Sequence, residues 1–167
     1  MKYDANGSGA AFIRCRGEHF DAVMALYERA LDELEKTVNY PKWTKDHPGR
    51  EYVAQAIGKG EQFACVADGE MVGAVVLSED PEGAYELGNW SRELENGEYI
   101  VFHILAVEPE CKHCGIGSFL VDNSVAFARR GGYKAVRLDI VPDNIPARRL
   151  YESKGFTTAG ILAYANI

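Results

Sequence analysis

Between the apolar run 99–107 (YIVFHILAV) and a helical stretch stands Lys112-His113-Cys114-Gly115-Ile116-Gly117, a cation and two glycines leading into a helix. That combination suits an anion. The first N–H groups of a helix have no intrahelical acceptor and carry the positive end of its dipole. Glycines let the backbone fold such donors around an oxyanion at close range. A phosphate or pyrophosphate is the chemistry this seat would serve, although two glycines before a helix also make a plain tight turn. Two common nucleotide signatures are excluded: no Gly-Lys-Ser/Thr ending is present, and Leu120 stands where a dinucleotide fingerprint needs its third glycine.

Two other groups could move protons or hold a metal. His103 interrupts the apolar run, and an imidazole titrates near neutrality, so it reads either as a base or as a hydrogen-bonded core histidine. Cys111, His113 and Cys114 carry the C-x-x-C spacing that zinc favours, yet no fourth ligand lies nearby and the same residues must turn backbone amides toward the anion. No metal is expected. Cys15, Cys65, Cys111 and Cys114 are too few for a secreted disulfide framework in a chain of this size, so free thiols and a reducing compartment are expected.

The elements that must position these residues follow from periodicity and punctuation. Residues 11–16 alternate like a strand, and residues 18–37 place Phe20, Val23, Met24, Tyr27, Leu31 and Leu34 at helical spacing. A turn-rich loop spans 39–49 and a second helix 50–57. Residues 62–67 and 70–77 read as strands joined by Asp68-Gly69, which predicts a type I′ hairpin. Residues 78–98 form a long loop with at most one helical turn. The run 99–107 is a doubly covered strand stopped by Pro109. A helix over 118–130 ends at Gly131-Gly132, a strand over 135–141 follows, then a helix over 144–154 and a short strand near Phe156. Hairpins in the first half and alternation in the second give an α/β fold of mixed αβ layers.

Residues 1–167 suit one domain. With 47% hydrophobic and 26% charged residues, the chain can bury an ordinary core. A formal charge of −7 argues against nucleic acid and anionic membrane as partners and favours a cationic one. No stretch has the roughly 20 apolar residues of a membrane span, nor does the start resemble a signal peptide, so a cytoplasmic protein is expected.

Further along, Asn144, Ala147, Leu150, Tyr151, Gly155 and Phe156 read N-x-x-A-x-x-L-Y-x-x-x-G-F. Together with Leu105-Ala106-Val107-Glu108-Pro109 and the Lys112 to Gly117 loop, in this order, the phrase resembles motifs A and B of the GNAT N-acetyltransferase superfamily. The first half resembles that family only in its order of elements. The resemblance implies an acyl-CoA N-acyltransferase fold: a central mixed, largely antiparallel sheet, helices on both faces, and a splay between the parallel strands ending at Val107 and Val141. Acetyl-CoA would lie in that gap as co-substrate. The N–H of Leu105 would polarise the acetyl carbonyl, and the backbone of Ala106 and Val107 would pair with the pantetheine arm. Lys112, His113, Cys114, Gly115, Ile116, Gly117 and Ser118 would seat the pyrophosphate, with Asn144 and Ala147 on the opposite wall.

The implied reaction is direct transfer, in a ternary complex, of the acetyl group to a primary amine of a small molecule, peptide N-terminus or lysine. The alternative is a non-catalytic acyl-CoA sensor of the same fold. Tyr151 matches the family's thiol-protonating tyrosine. The base is open between His103, Glu98, Glu86 and a water, because Val101 stands where some members carry a glutamate. His103 lies two residues before Leu105, so strand geometry places both side chains on one face. Tyr27, Tyr40, Trp43, Tyr85 and Trp90 belong to segments that form the acceptor pocket in such proteins, as cation–π walls or as packing.

Two departures accompany the likeness. Lys112 replaces the usual Gln or Arg, which loses a planar donor fork. The chain stops at Ile167, barely a strand past Phe156, so the last strand is expected to be short or supplied by a partner chain, and a homodimer is left open.

Overall fold

The computed structural model describes residues 9–161. Five strands form one sheet in sequence order: β1 (Ala10–Arg14), β2 (Gln62–Ala67), β3 (Glu70–Ser78), β4 (Tyr99–Val107) and β5 (Ala135–Leu138). The first three pairings are antiparallel and β4 with β5 is parallel, so the mixed, largely antiparallel sheet expected above is present. Asp68 (φ 50°) and Gly69 (φ 78°) both take the positive dihedrals of a type I′ turn between β2 and β3.

Helices cover both faces. On one, α1 (Phe20–Lys36) and α2 (Arg50–Gly58) bury Val23, Leu26, Tyr27 and Val53 against Ala64, Ala74 and Ala106. On the other, α3 (Ile116–Arg130) and α4 (Ile145–Ser153) pack Ile116, Leu120, Val121 and Tyr151 against Phe63, Val75, Ile100 and Phe102. Gly73 on β3 fixes how closely α3 lies: a Cβ there would come within 2.7 Å of Ile116 Cγ2 and 2.9 Å of Leu120 Cδ1. The first turn of α3 is thereby held against the sheet near the end of β4.

Several element boundaries differ from the sequence reading. The first helical stretch begins as a 3-10 turn at Gly17–His19 before α1. The long loop after β3 holds one such turn, Tyr85–Leu87. Helix α3 begins at Ile116, two residues earlier than expected, because Ile116 is a buried anchor rather than part of the linker. Strand β5 ends at Leu138 rather than at 141, where the chain leaves the ladder ahead of Pro142. The short strand expected near Phe156 is absent among the described residues. Instead Phe156 N–H donates to the Tyr151 carbonyl at 3.1 Å and its ring packs on Tyr151 and Phe102.

Candidate functional site

Strands β4 and β5 pair only from Tyr99–Ala135 to Phe102–Leu138. Beyond that point β4 runs on to Val107 without β5, and a cavity of about 670 Å³ opens in the gap. Its walls include Leu105, Ala106 and Val107 from β4, Asn144, Ala147 and Tyr151 from α4 and the turn before it, and Tyr40, Trp43 and His47 from the loop after α1. A larger cavity of about 900 Å³ follows the outer edge of β5 beside Trp90 and Arg137, but it touches neither the splayed half of β4 nor the start of α3. Tyr151 and Asp139 line both, but of the two only the smaller cavity takes in the splayed half of β4.

A bulge shapes the splayed half. His103 is paired with Val76 and Ala106 with Ala74, so Ile104 and Leu105 together face the single residue Val75. Ile104 takes φ 49°, a costly conformation for a β-branched residue. Buried polar side chains on the α1 face support it. Tyr27 Oη donates to the Ile104 carbonyl at 2.9 Å, and Gln62 Nε2 donates to Tyr27 Oη and to the Val75 carbonyl, each at 3.2 Å. The bulge also breaks the two-residue alternation. His103 therefore does not share a face with Leu105, as strand periodicity suggested: Leu105 packs toward the α3 side, whereas His103 turns to the loop after β3.

The loop ahead of α3 has the dihedrals of an anion seat. His113 (φ 63°) and Gly115 (φ 79°) are left-handed, and Gly115 is the N-cap with no side chain to satisfy the first N–H groups. Lys112 lines the cavity; His113, Cys114, Gly115, Ile116, Gly117 and Ser118 are not among its walls. The Lys112 ammonium pairs with Glu33 of α1 at 3.3 Å. Cys111 and Cys114 are buried while His113 is exposed, and no three metal-binding side chains converge among the described residues.

Opposite, Asn144 caps α4 by accepting the Ala147 N–H at 3.2 Å, so its Oδ1 is already engaged. Tyr151 is buried, and burial, reinforced by nearby Asp139, pushes its hydroxyl above the ordinary tyrosine range, which keeps the proton on it. Asp139 was not singled out in the sequence. It lines the cavity just past β5 and accepts the Tyr85 hydroxyl at 2.6 Å. A lone carboxylate directly after an apolar strand was the available signal.

His103 is 9% exposed and lines the cavity. Its Nε2 lies 2.8 Å from the Asp80 carbonyl, which can only accept, so that nitrogen carries the proton in the neutral ring and Nδ1 keeps its lone pair. Glu98 and Glu86 are not brought to the cavity: the Glu98 carboxylate binds Lys134 at the opposite end of β4, and Glu86 lies exposed in the Tyr85–Leu87 turn. Hydrogen bonds from Lys134 and from the Glu95 N–H hold the Glu98 carboxyl below its usual range. Of the five aromatic residues, Tyr40 and Trp43 wall the cavity, and Tyr27 sits beneath it with its ring edge-on to Trp43 at 5.9 Å. Tyr85 and Trp90 instead pack beside Arg137 on the β5 flank, where the Arg137 guanidinium stacks 4.1 Å from the Trp90 ring.

The model of the Acetyltransferase (GNAT) family matches residues 20–156, and so takes in both walls of the splay. The chain belongs to the GNAT family. An uncharacterised N-acetyltransferase of Methanocaldococcus jannaschii is 28% identical over 142 residues, covering 83% of this chain and 57% of the relative. A mycothiol acetyltransferase of Beutenbergia cavernae is 30% identical over 94 residues, covering 55% of this chain and 31% of that one. The matched part of this GNAT chain thus spans 57% and 31% of the length of those relatives. Among solved structures, a GNAT-family acetyltransferase from Streptococcus agalactiae superposes with a TM-score of 0.75 at 21% identity, over 92% of this chain and 88% of that one. An aminoglycoside N-acetyltransferase solved with CoA has a TM-score of 0.70 at 14% identity, over 97% of both chains. Both share the GNAT fold seen here.

Proposed function

We propose that this GNAT protein transfers the acetyl group of acetyl-CoA to a primary amine by direct attack. One observation carries the reading: the bulged backbone at Leu105, the Tyr151 side chain and the His103 imidazole all wall one cavity in the splay of β4 from β5. The residues fit the co-substrate. An uncapped helix start with left-handed residues before it suits a pyrophosphate, and the β4 backbone beyond Phe102 has no β5 partner to exclude an extended pantetheine arm. Ala106, Val107, Ala147 and the Asn144 Nδ2 would flank that arm, with the amides from His113 to Ser118 at the phosphates.

Acetyl-CoA supplies an activated thioester when bound. Leu105 N–H would donate to the carbonyl oxygen as negative charge builds on it. His103 Nδ1 would take a proton from the incoming ammonium, and Tyr151, kept protonated by burial, would give one to the departing sulfur and regain it from the second proton that the nitrogen sheds as the amide forms. Thiol release from acetyl-CoA, measured against polyamines, amino acids, aminoglycosides and peptides, tests the reading. We expect release with at least one amine class. Tight acetyl-CoA binding without release across the panel would replace transfer by a sensor role.

A further inference from the structure

We propose that Glu82 holds the reacting ammonium of the acceptor against His103; this rests on the acetyl-transfer reading above. Glu82 was not singled out in the sequence. It sits at the cavity wall with its side chain 39% exposed, and the loop fixes where it points. Its own N–H donates to Asp80 Oδ1 at 2.9 Å, and its Oε1 accepts the Tyr52 hydroxyl at 3.0 Å. Oε2 is left facing His103 Nδ1 at 3.9 Å, beyond hydrogen-bond reach.

That gap has donors missing on both sides. The neutral His103 ring spends its proton on the Asp80 carbonyl, so Nδ1 and Oε2 are both acceptors, the imidazole side chain being only 7% exposed. A primary ammonium brings three N–H donors and can bridge the two. When its N–H bond breaks and the Nδ1–H bond forms, the positive charge moves onto the ring and stays beside the same carboxylate. The partners of Glu61 and Glu79 are the Ser78 and Tyr133 hydroxyls, and among the described residues no lysine or arginine pairs with Glu61, Glu79, Asp80 or Glu82. Burial and the nearby Glu82 and Glu61 together raise the Tyr52 hydroxyl well above its usual range. By contrast, Glu33 already neutralises Lys112 at the opposite rim. The carboxylate of a free α-amino acid would be repelled by Glu82.

The test compares wild type, Glu82→Gln and Glu82→Asp on spermidine, on a monoamine of equal chain length and on glycine. Binding of spermidine in the presence of CoA is followed by calorimetry and turnover by thiol release. For Glu82→Gln we expect KM and Kd for spermidine to rise about tenfold or more, as loss of a charge-assisted contact would produce. The monoamine should lose affinity by a similar factor, the acetyl-CoA Kd should hold, and Glu82→Asp should recover part of the loss. A loss confined to spermidine, or unchanged affinity for both amines in Glu82→Gln, would overturn the proposal. Were no amine to support thiol release, transfer would fail as a reading, while the calorimetric comparison would still decide the role of Glu82.

Discussion

The two halves of β4 are the same strand in different company. From Tyr99 to Phe102 it pairs with β5, Val101 and Phe102 pair with β3 as well, and Ile100 and Val101 are almost fully buried. From His103 to Val107 it has β3 on one side only, carries a bulge and is partly exposed at Ile104, Leu105 and Val107. A strand paired on both edges has no backbone donor to spare and no room beside it, so its residues can contribute only packing. Losing one neighbour supplies both the cavity and the polar backbone. The cost of the strained turn at Ile104 is met by Tyr27 and Gln62, which satisfy the carbonyls that the bulge displaces.

The largest expected effect lies in the splayed half's opposite wall. Tyr151→Phe should lower kcat by about 10²-fold or more, the range for loss of a positioned acid, with little change in the Kd for acetyl-CoA. Because burial lifts the hydroxyl, wild-type kcat should show no falling limb from this group as pH rises to about 10, where an ordinary tyrosine would ionise. An unchanged kcat in the variant, with chemistry shown by single-turnover kinetics to limit the rate, would remove the acid and with it half of the contrast.

Next is the bulge itself. Tyr27→Phe keeps the ring against Trp43 but deletes the donor to the Ile104 carbonyl. A buried acceptor left unsatisfied costs about 1–3 kcal/mol, read by urea denaturation. If the bulge positions the Leu105 N–H, kcat should fall as well, by about tenfold, while KM for the amine moves less. Stability lost with kcat intact would mean that the bulge shapes the cavity without serving the reaction.

The sequence was most informative where one rule acts alone. The type I′ turn followed from Asp68-Gly69, the central strand from an unbroken apolar run, and the family from the spacing of Asn144, Tyr151 and Gly155. It was silent where residues distant in the chain meet. Tyr27 reads as one more apolar position on α1, and Gln62 as a polar strand start, yet both close on the same bulge. His103 and Leu105 were put on one face because periodicity is a local rule, and an inserted residue reverses it without leaving a mark in composition. Glu82 lies in a segment with no periodicity and Asp139 inside the stretch read as a strand, and only the packing of the loop after β3 and the early end of β5 brings them to the cavity. Even Lys112, in the loop where an anion seat was expected, has its charge shared with Glu33, a partner on α1 that no motif announces.

The smallest expected effect on turnover belongs to the paired half. Val101 is fully buried beside Tyr85 and Tyr99, two residues before His103 and on the far side of the bulge from Leu105. Val101→Ala removes buried methyl groups and should cost about 1–2 kcal/mol in urea denaturation, by analogy with other core truncations. Because ladders on both sides hold the backbone at Val101 and Phe102, the slack should stay local, and kcat per folded molecule should remain within about twofold of wild type. A larger fall in kcat would show that His103 depends on packing beneath it and that the two halves of β4 are mechanically coupled. An unchanged value beside a depressed Tyr27→Phe would place the boundary between scaffold and site at the bulge.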